Sequence, residues 1–95
     1  MGATGISFFV FMNDYINIEI EYRVKDLYEA SFLYASGINL LRLERDKANY
    51  YFIFSDRHQC EKLRDLYWSY NASINAKKLV DSIKSLKERL FSNER

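Results

Sequence analysis

The chain has 95 residues and a formal net charge of +1, which gives no general electrostatic attraction to nucleic acid. Hydrophobic residues make up 48% and aromatic residues 17%, a composition that excludes a disordered chain. Proline is absent and glycine occurs three times, so we expect one domain over residues 1–95 with regular elements and short loops.

The first part of the chain predicts a β-hairpin over residues 6–23, after a frayed stretch at 1–5. Residues 6–12 are apolar on both faces, as in a central strand or an edge strand covered by a partner. Asn13 and Asp14 are a candidate turn. Isoleucine and tyrosine then alternate with polar residues from Ile16 to Tyr22, which indicates a strand with one buried face that includes Ile20.

A helix is predicted over residues 25–36, because the apolar spacing changes from two to about 3.6 residues. Asp26 lies in its first turn, and Gly37 is the expected left-handed cap. Residues 38–45 and 50–54 then predict a second hairpin, with Asp46 and Lys47 at the turn.

Two further helices complete the predicted order. Ser55 is the candidate N-cap of the first, which begins at residue 56 or 57. Its expected buried face comprises Cys60, Leu63, Leu66 or Tyr67, and Tyr70. The second runs from about residue 74 to 91. Its apolar positions form a core-facing stripe made of Ala76, Leu79, Ile83, Leu86 and Leu90, widened by Val80 and Phe91.

The element order ββαββαα predicts an α+β fold in which antiparallel hairpins form a sheet and the helices pack on one of its faces.

No constellation of residues predicts catalysis or metal binding. His58 and Cys60 are two positions apart on a predicted helix, where they point in different directions, and there is no other histidine or cysteine. Glu19 and Glu21 share one strand face, a pattern more typical of a solvated surface than of acid–base catalysis. We therefore expect a non-enzymatic protein that needs no cofactor and no metal.

A single cysteine cannot form an internal disulfide, which favours a reducing compartment. Residues 6–12 lack the basic segment that precedes the apolar part of a signal peptide, and no stretch is long enough to span a bilayer. A cytoplasmic location is the expectation.

A basic and aromatic surface is the basis of one functional hypothesis. The last helix is rich in lysine, and the second hairpin combines arginines with Tyr50 and Tyr51. Such a surface can bind phosphates and stack bases, although acidic residues are interleaved with the basic ones. The candidate contacts to nucleic acid are Arg42, Arg45, Lys77, Lys78 and Lys84.

Aromatic residues support the other hypothesis, a protein–protein contact. Tyr67, Trp68 and Tyr70 cannot all face the same core from one helix, and exposed Trp and Tyr are frequent hot spots of interfaces. A position of Trp68 beneath the last helix is the competing interpretation. The candidate contacts are Trp68 and Tyr70, together with Phe9 and Phe11 of the apolar strand, which can also add to a second copy and give a homodimer.

Several short motifs resemble, in order and spacing, a small bacterial and phage family known as domain of unknown function number 5659. They lie in residues 22–91 and are Lys25-Asp26-Leu27-Tyr28, Gly37, Leu43-Glu44-Arg45-Asp46, Phe52-Ile53-Phe54, Ser55-Asp56, Tyr67-Trp68, Asn75-Ala76-Lys77-Lys78-Leu79 and Ser85-Leu86-Lys87. The predicted first hairpin lies outside this likeness. The resemblance implies a small prokaryotic or phage protein and no activity. An accessory protein of a phage or mobile element is our hypothesis for its role.

The sequence therefore predicts a small interaction module that docks on a protein partner or on itself. The alternative hypothesis is a nucleic-acid-associated protein.

Overall fold

A three-stranded antiparallel sheet and three helices make up the computed structural model, which describes residues 20–94 and side chains as far as Ser92. The elements are β1 (Tyr22–Val24), α1 (Leu27–Ala35), β2 (Leu40–Asp46), β3 (Asn49–Phe54), α2 (Arg57–Trp68) and α3 (Ala76–Glu94). The strand order β1-β3-β2 places β3 at the centre. This architecture confirms the predicted α+β class.

Of the first predicted hairpin, only a short strand at its end is confirmed, and this strand pairs with β3. Tyr22 and Val24 are buried and Arg23 is exposed, which is the alternation expected of a strand. Ile20 is helical and exposed, so the prediction that it belongs to the strand is wrong. Residues 6–19 of that hairpin, including Phe9 and Phe11, lie outside the described residues.

The two faces of the sheet differ. On one face Phe52 and Phe54 of β3 pack with Tyr22 and with residues of all three helices, and they form the core. The other face carries the side chains that alternate with these, among them Ile53. Ile53 is only 2% exposed because it lies between Arg23 and Arg42, its register partners on the neighbouring strands.

Helix α1 has well-defined ends. The Asp26 carboxylate accepts from the Glu29 backbone N–H at 2.7 Å and caps the N-terminus. At the other end the Gly37 N–H donates to the Tyr34 carbonyl and the Ile38 N–H to the Leu33 carbonyl, a Schellman motif. Gly37 has a φ of 95°, so its predicted role as a left-handed cap is confirmed. These caps fix α1 between the sheet, α2 and α3.

The caps of α2 differ from the prediction. The N-cap is Asp56, whose carboxylate accepts from the Gln59 N–H, and Ser55 precedes it. The helix ends at Trp68, so Tyr70 is not on its buried face. Cys60 is fully buried as expected, whereas Leu66 is exposed and Tyr67 half-buried.

Helix α3 packs against α1 and buries Leu86 and Ser82. Val80 and Phe91 are exposed, so the prediction that they widen the core stripe is wrong. The β2–β3 turn is formed by Lys47 and Ala48, one residue later than predicted, and Lys47 has a φ of 59°. A register shift between Leu40 and Arg42 interrupts the pairing of β2 with β3.

Candidate interaction face

Glu29 is a buried carboxylate that joins three elements. It lies one turn before Leu33 on α1 and is 7% exposed. Its Oε2 accepts from the Tyr22 hydroxyl of β1 at 2.9 Å, and its Oε1 accepts from the Trp68 indole Nε1 of α2 at 3.0 Å. Both oxygens of the carboxyl group therefore act as hydrogen-bond acceptors. We call these two hydrogen bonds the Glu29 bridge.

The bridge places a negative charge beside Tyr22. Burial, and then the hydrogen bond and charge of Glu29, raise the pKa of Tyr22 to about 12. The Arg64 guanidinium lies 6.0 Å from the centroid of the Tyr22 ring and forms an ion pair with Asp65 at 3.1 Å. Among residues 20–94, no lysine or arginine forms an ion pair with Glu29 itself.

Trp68 is held in place yet remains 56% exposed. Its ring lies edge-on to Tyr67, with centroids 5.2 Å apart, and Tyr67 stacks on the buried Phe32 of α1 at 5.5 Å. The indole therefore has one hydrogen bond and one ring contact that fix its orientation. The competing prediction, that Trp68 packs beneath the last helix, is wrong.

Tyr70 follows α2 in an unusual conformation. Its N–H donates to the Tyr67 carbonyl, and the Asn71 N–H donates to the Leu66 carbonyl, so the helix ends in a second Schellman motif. Tyr70 occupies the left-handed position with a φ of 64° and is 96% exposed. Glycine is the usual residue there, because a side chain is strained at positive φ.

These residues define one surface, which we call the aromatic face: Tyr28, Tyr67, Trp68 and Tyr70. Tyr28 of α1 is exposed and contributes, as Tyr70 does, to the raised pKa of Tyr67. A depression of about 260 Å³ adjoins Tyr67 and is lined by Phe32, Tyr67, Tyr70, Ala72, Ile74 and Leu79. The face thus combines exposed rings with an apolar recess.

The charges that act on Tyr67 are negative. Burial raises the pKa of Tyr67, and the next contributions are the charges of Asp26 and Glu29. No cation contributes to that shift. The aromatic face therefore combines π surfaces with two carboxylates from the start of α1.

The residues of the nucleic-acid hypothesis are dispersed. Arg42 lies on the sheet face away from the core and forms a bidentate ion pair with Glu21 and another with Glu44. Arg45 donates to the Lys47 carbonyl and lies over the Tyr50 ring at 5.5 Å.

The three lysines lie on α3, on the helical side of the sheet. Lys77 forms an ion pair with Asp81 at 2.9 Å. Lys78 and Lys84 are exposed and form no ion pair with another described residue. The structure does not bring Arg42 and these lysines onto one surface.

The reactive side chains are separated. His58 is exposed, whereas Cys60 is buried and its thiol donates to the Ser55 carbonyl at 3.4 Å. Burial, followed by the charges of Asp56, Glu29 and Glu61, raises the pKa of Cys60 to about 12. Residues 20–94 contain no group of three His, Cys, Asp or Glu side chains placed to hold a metal ion.

Sequence reasoning missed Glu29. The signal was available, because Glu29 precedes the apolar Leu33 by four residues and therefore lies on the same helix face. A carboxylate on a buried face needs polar partners, and Tyr22 and Trp68 are neutral donors able to supply them.

Fold and site together define a small α+β domain with one exposed aromatic surface tied to a buried carboxylate. The chain matches DUF5659, a domain of unknown function, over residues 19–92 and therefore belongs to that family. Among the curated proteins and the solved structures, none matches this chain. In residues 20–94 no helix is both long and apolar enough to cross a membrane.

Proposed function

We propose that this domain is a non-enzymatic interaction module that binds a protein partner through the aromatic face. The observation that carries the proposal is Tyr70, an almost fully exposed aromatic residue at a backbone position that favours glycine. Strained residues persist where the surrounding structure holds them, and they cluster at functional sites. An exposed ring kept at this cost is typical of a contact residue.

Trp68 supports the same proposal. Trp and Tyr are enriched among the residues that dominate binding energy at interfaces. The Glu29 bridge fixes the indole before a partner arrives, which lowers the entropy lost on association. The recess beside Tyr67 offers a place for one apolar side chain of a partner.

Site-specific photocrosslinking tests the proposal. The photoreactive residue p-benzoylphenylalanine replaces Tyr70 in the full chain, in the cells that produce the protein. The matched control carries it in place of Phe91, an aromatic residue on α3 that is 65% exposed. We expect a defined adduct with one protein from position 70 and not from position 91.

The mass of the adduct identifies the partner. An adduct of twice the mass of the chain indicates a second copy, and any other mass a different protein. No adduct from position 70, or the same adducts from both positions, would contradict the proposal.

A further inference from the structure

The aromatic face also carries information about the chemistry of its partner. We infer that it receives a basic side chain, an arginine or lysine on an exposed segment of a partner protein. The inference rests on the proposed function, since it assigns the kind of partner that the same surface binds.

The first observation is the arrangement of rings. Tyr67 and Trp68 stand at 89° to each other, Tyr70 lines the recess together with Tyr67, and Tyr28 is exposed on α1. The faces of such rings carry negative partial charge and attract a cation placed within about 6 Å of the ring centroid. The protein already uses this contact elsewhere, since the Arg23 guanidinium lies 4.0 Å from the Tyr51 centroid.

The second observation is the charge beside the rings. Glu29 accepts its two hydrogen bonds from neutral donors and forms no ion pair with any described residue. Asp26 is exposed and forms no ion pair there either. Glu29, which accepts from Trp68, and Asp26, whose charge acts on Tyr67, thus form no ion pair with a described residue, and a positive charge on a partner is attracted to both.

The depression beside Tyr67 fits the rest of such a side chain. Arginine and lysine carry an apolar stem below the charged group, and the stem is favoured on an apolar surface. The lining of Phe32, Ile74 and Leu79 supplies that surface.

Trp68 makes the test direct, because it is the only tryptophan of the chain. Its fluorescence and its single indole N–H resonance report on this face alone. The full chain is titrated with the peptide acetyl-(Gly-Arg)₃-amide and, as a neutral control, acetyl-(Gly-Gln)₃-amide, each at 150 mM salt. We expect a saturable shift with the arginine peptide and an affinity roughly tenfold higher than for the control.

Two variants, each of which removes one negative charge, test whether these carboxylates attract the arginine peptide. Glu29→Gln retains the size and an acceptor for the indole, and Asp26→Asn retains a good N-cap. Each variant is expected to bind the arginine peptide roughly fivefold more weakly than the parent protein does. Glu88→Gln, the same change on α3 beside Tyr34 and Leu43, is the matched control and should leave the affinity unchanged.

Equal affinities for the two peptides, or no effect of either neutralising variant, would overturn the inference. A specific crosslink from position 70 combined with that result would leave the proposed function standing with a partner of other chemistry. Absence of the crosslink would instead contradict the proposed function.

Discussion

The Trp68 indole donates to the Glu29 carboxylate at 3.0 Å, a bond between residues 39 positions apart that ties the end of α2 to the first turn of α1. The orientation of the exposed Trp68 ring therefore depends on the buried Glu29 carboxylate. Stability and surface shape are therefore coupled at this point of the fold.

Replacing Glu29 is expected to destabilise the protein by an amount that depends on the acceptor left behind. Glu29→Ala leaves the Tyr22 hydroxyl without its acceptor in a buried position, and the free energy of unfolding should fall by about 2–4 kcal/mol. Glu29→Gln keeps one hydrogen-bond acceptor and should lower the free energy of unfolding by about 1 kcal/mol. Urea unfolding followed by circular dichroism measures both, and Glu88→Ala should lie within about 0.5 kcal/mol of the parent.

Alkaline pH is expected to destabilise the fold. The pKa of Cys60 rises from 9.0 to about 12 and that of Tyr22 from 10.0 to about 12, in both cases first through burial. At pH 7 both groups are protonated in the folded and unfolded states, so the shifts have no effect there. Between about 9 and 12 the unfolded chain releases protons that the folded chain retains, and the free energy of unfolding falls.

Urea midpoints at pH 8, 9.5 and 10.5 measure this dependence. Cys60→Ala removes one of the two titrating groups, so the urea midpoint should fall less steeply with pH. The substitution also leaves a small cavity, which lowers stability at every pH. A urea midpoint of the parent protein that does not change over this pH range would contradict the raised pKa values of Cys60 and Tyr22.

The sequence was informative where local chemistry decides the structure. Gly37 predicted the end of α1 because glycine is the residue that adopts positive φ without strain. A run of aromatic strand formers predicted β3, and alternation predicted the buried Tyr22 of β1. The exposure of Val80 and Phe91 was not predicted, because periodicity gives the direction of a side chain and not the width of the surface that α1 covers.

The aromatic face was predicted only in part. Trp68 and Tyr70 were recognised because one helix cannot bury three neighbouring aromatic residues. Their actual positions depend on a helix end at Trp68 and on Glu29, and both are set by tertiary contacts. A tyrosine at positive φ could not be predicted, because local preference favours glycine at that position.

Weak binding of nucleic acid is expected. Arg42 and Lys77 are already neutralised by Glu21, Glu44 and Asp81, which lowers the gain from phosphate contacts. Fluorescence anisotropy with a labelled single-stranded oligonucleotide should give a dissociation constant no tighter than about 10⁻⁴ M at physiological salt.

Micromolar binding that weakens steeply with salt, and that is reduced in Lys78→Gln and Lys84→Gln, would favour the alternative hypothesis instead. These two lysines are the informative positions, because neither forms an ion pair with a described residue.

Self-association is predicted from residues 6–12, which lie outside the described residues. The sequence predicts a strand there that is apolar on both faces. Pairing with the same strand of a second copy would remove its apolar side chains from water. Light scattering after size-exclusion chromatography should give a dimer for the full chain and a monomer for a chain that starts at Asn17. A monomer in both cases, at low and high salt, would contradict this prediction.

Tyr70 should show opposite effects on stability and on binding. Tyr70→Gly relieves the strain at positive φ and is expected to raise the free energy of unfolding by about 1 kcal/mol, while it removes the ring from the aromatic face. Tyr70→Ala removes the ring but keeps a Cβ, so its stability should remain close to that of the parent.

Lys47→Gly is the matched control, because Lys47 also has a positive φ and lies at the β2–β3 turn. It should stabilise the protein to a similar extent and leave binding of the crosslinked partner unchanged. Thermal unfolding and binding of that partner, measured on all three variants, separate the two effects. If Tyr70→Gly is stabilised and still binds like the parent, the strained tyrosine is not a contact residue.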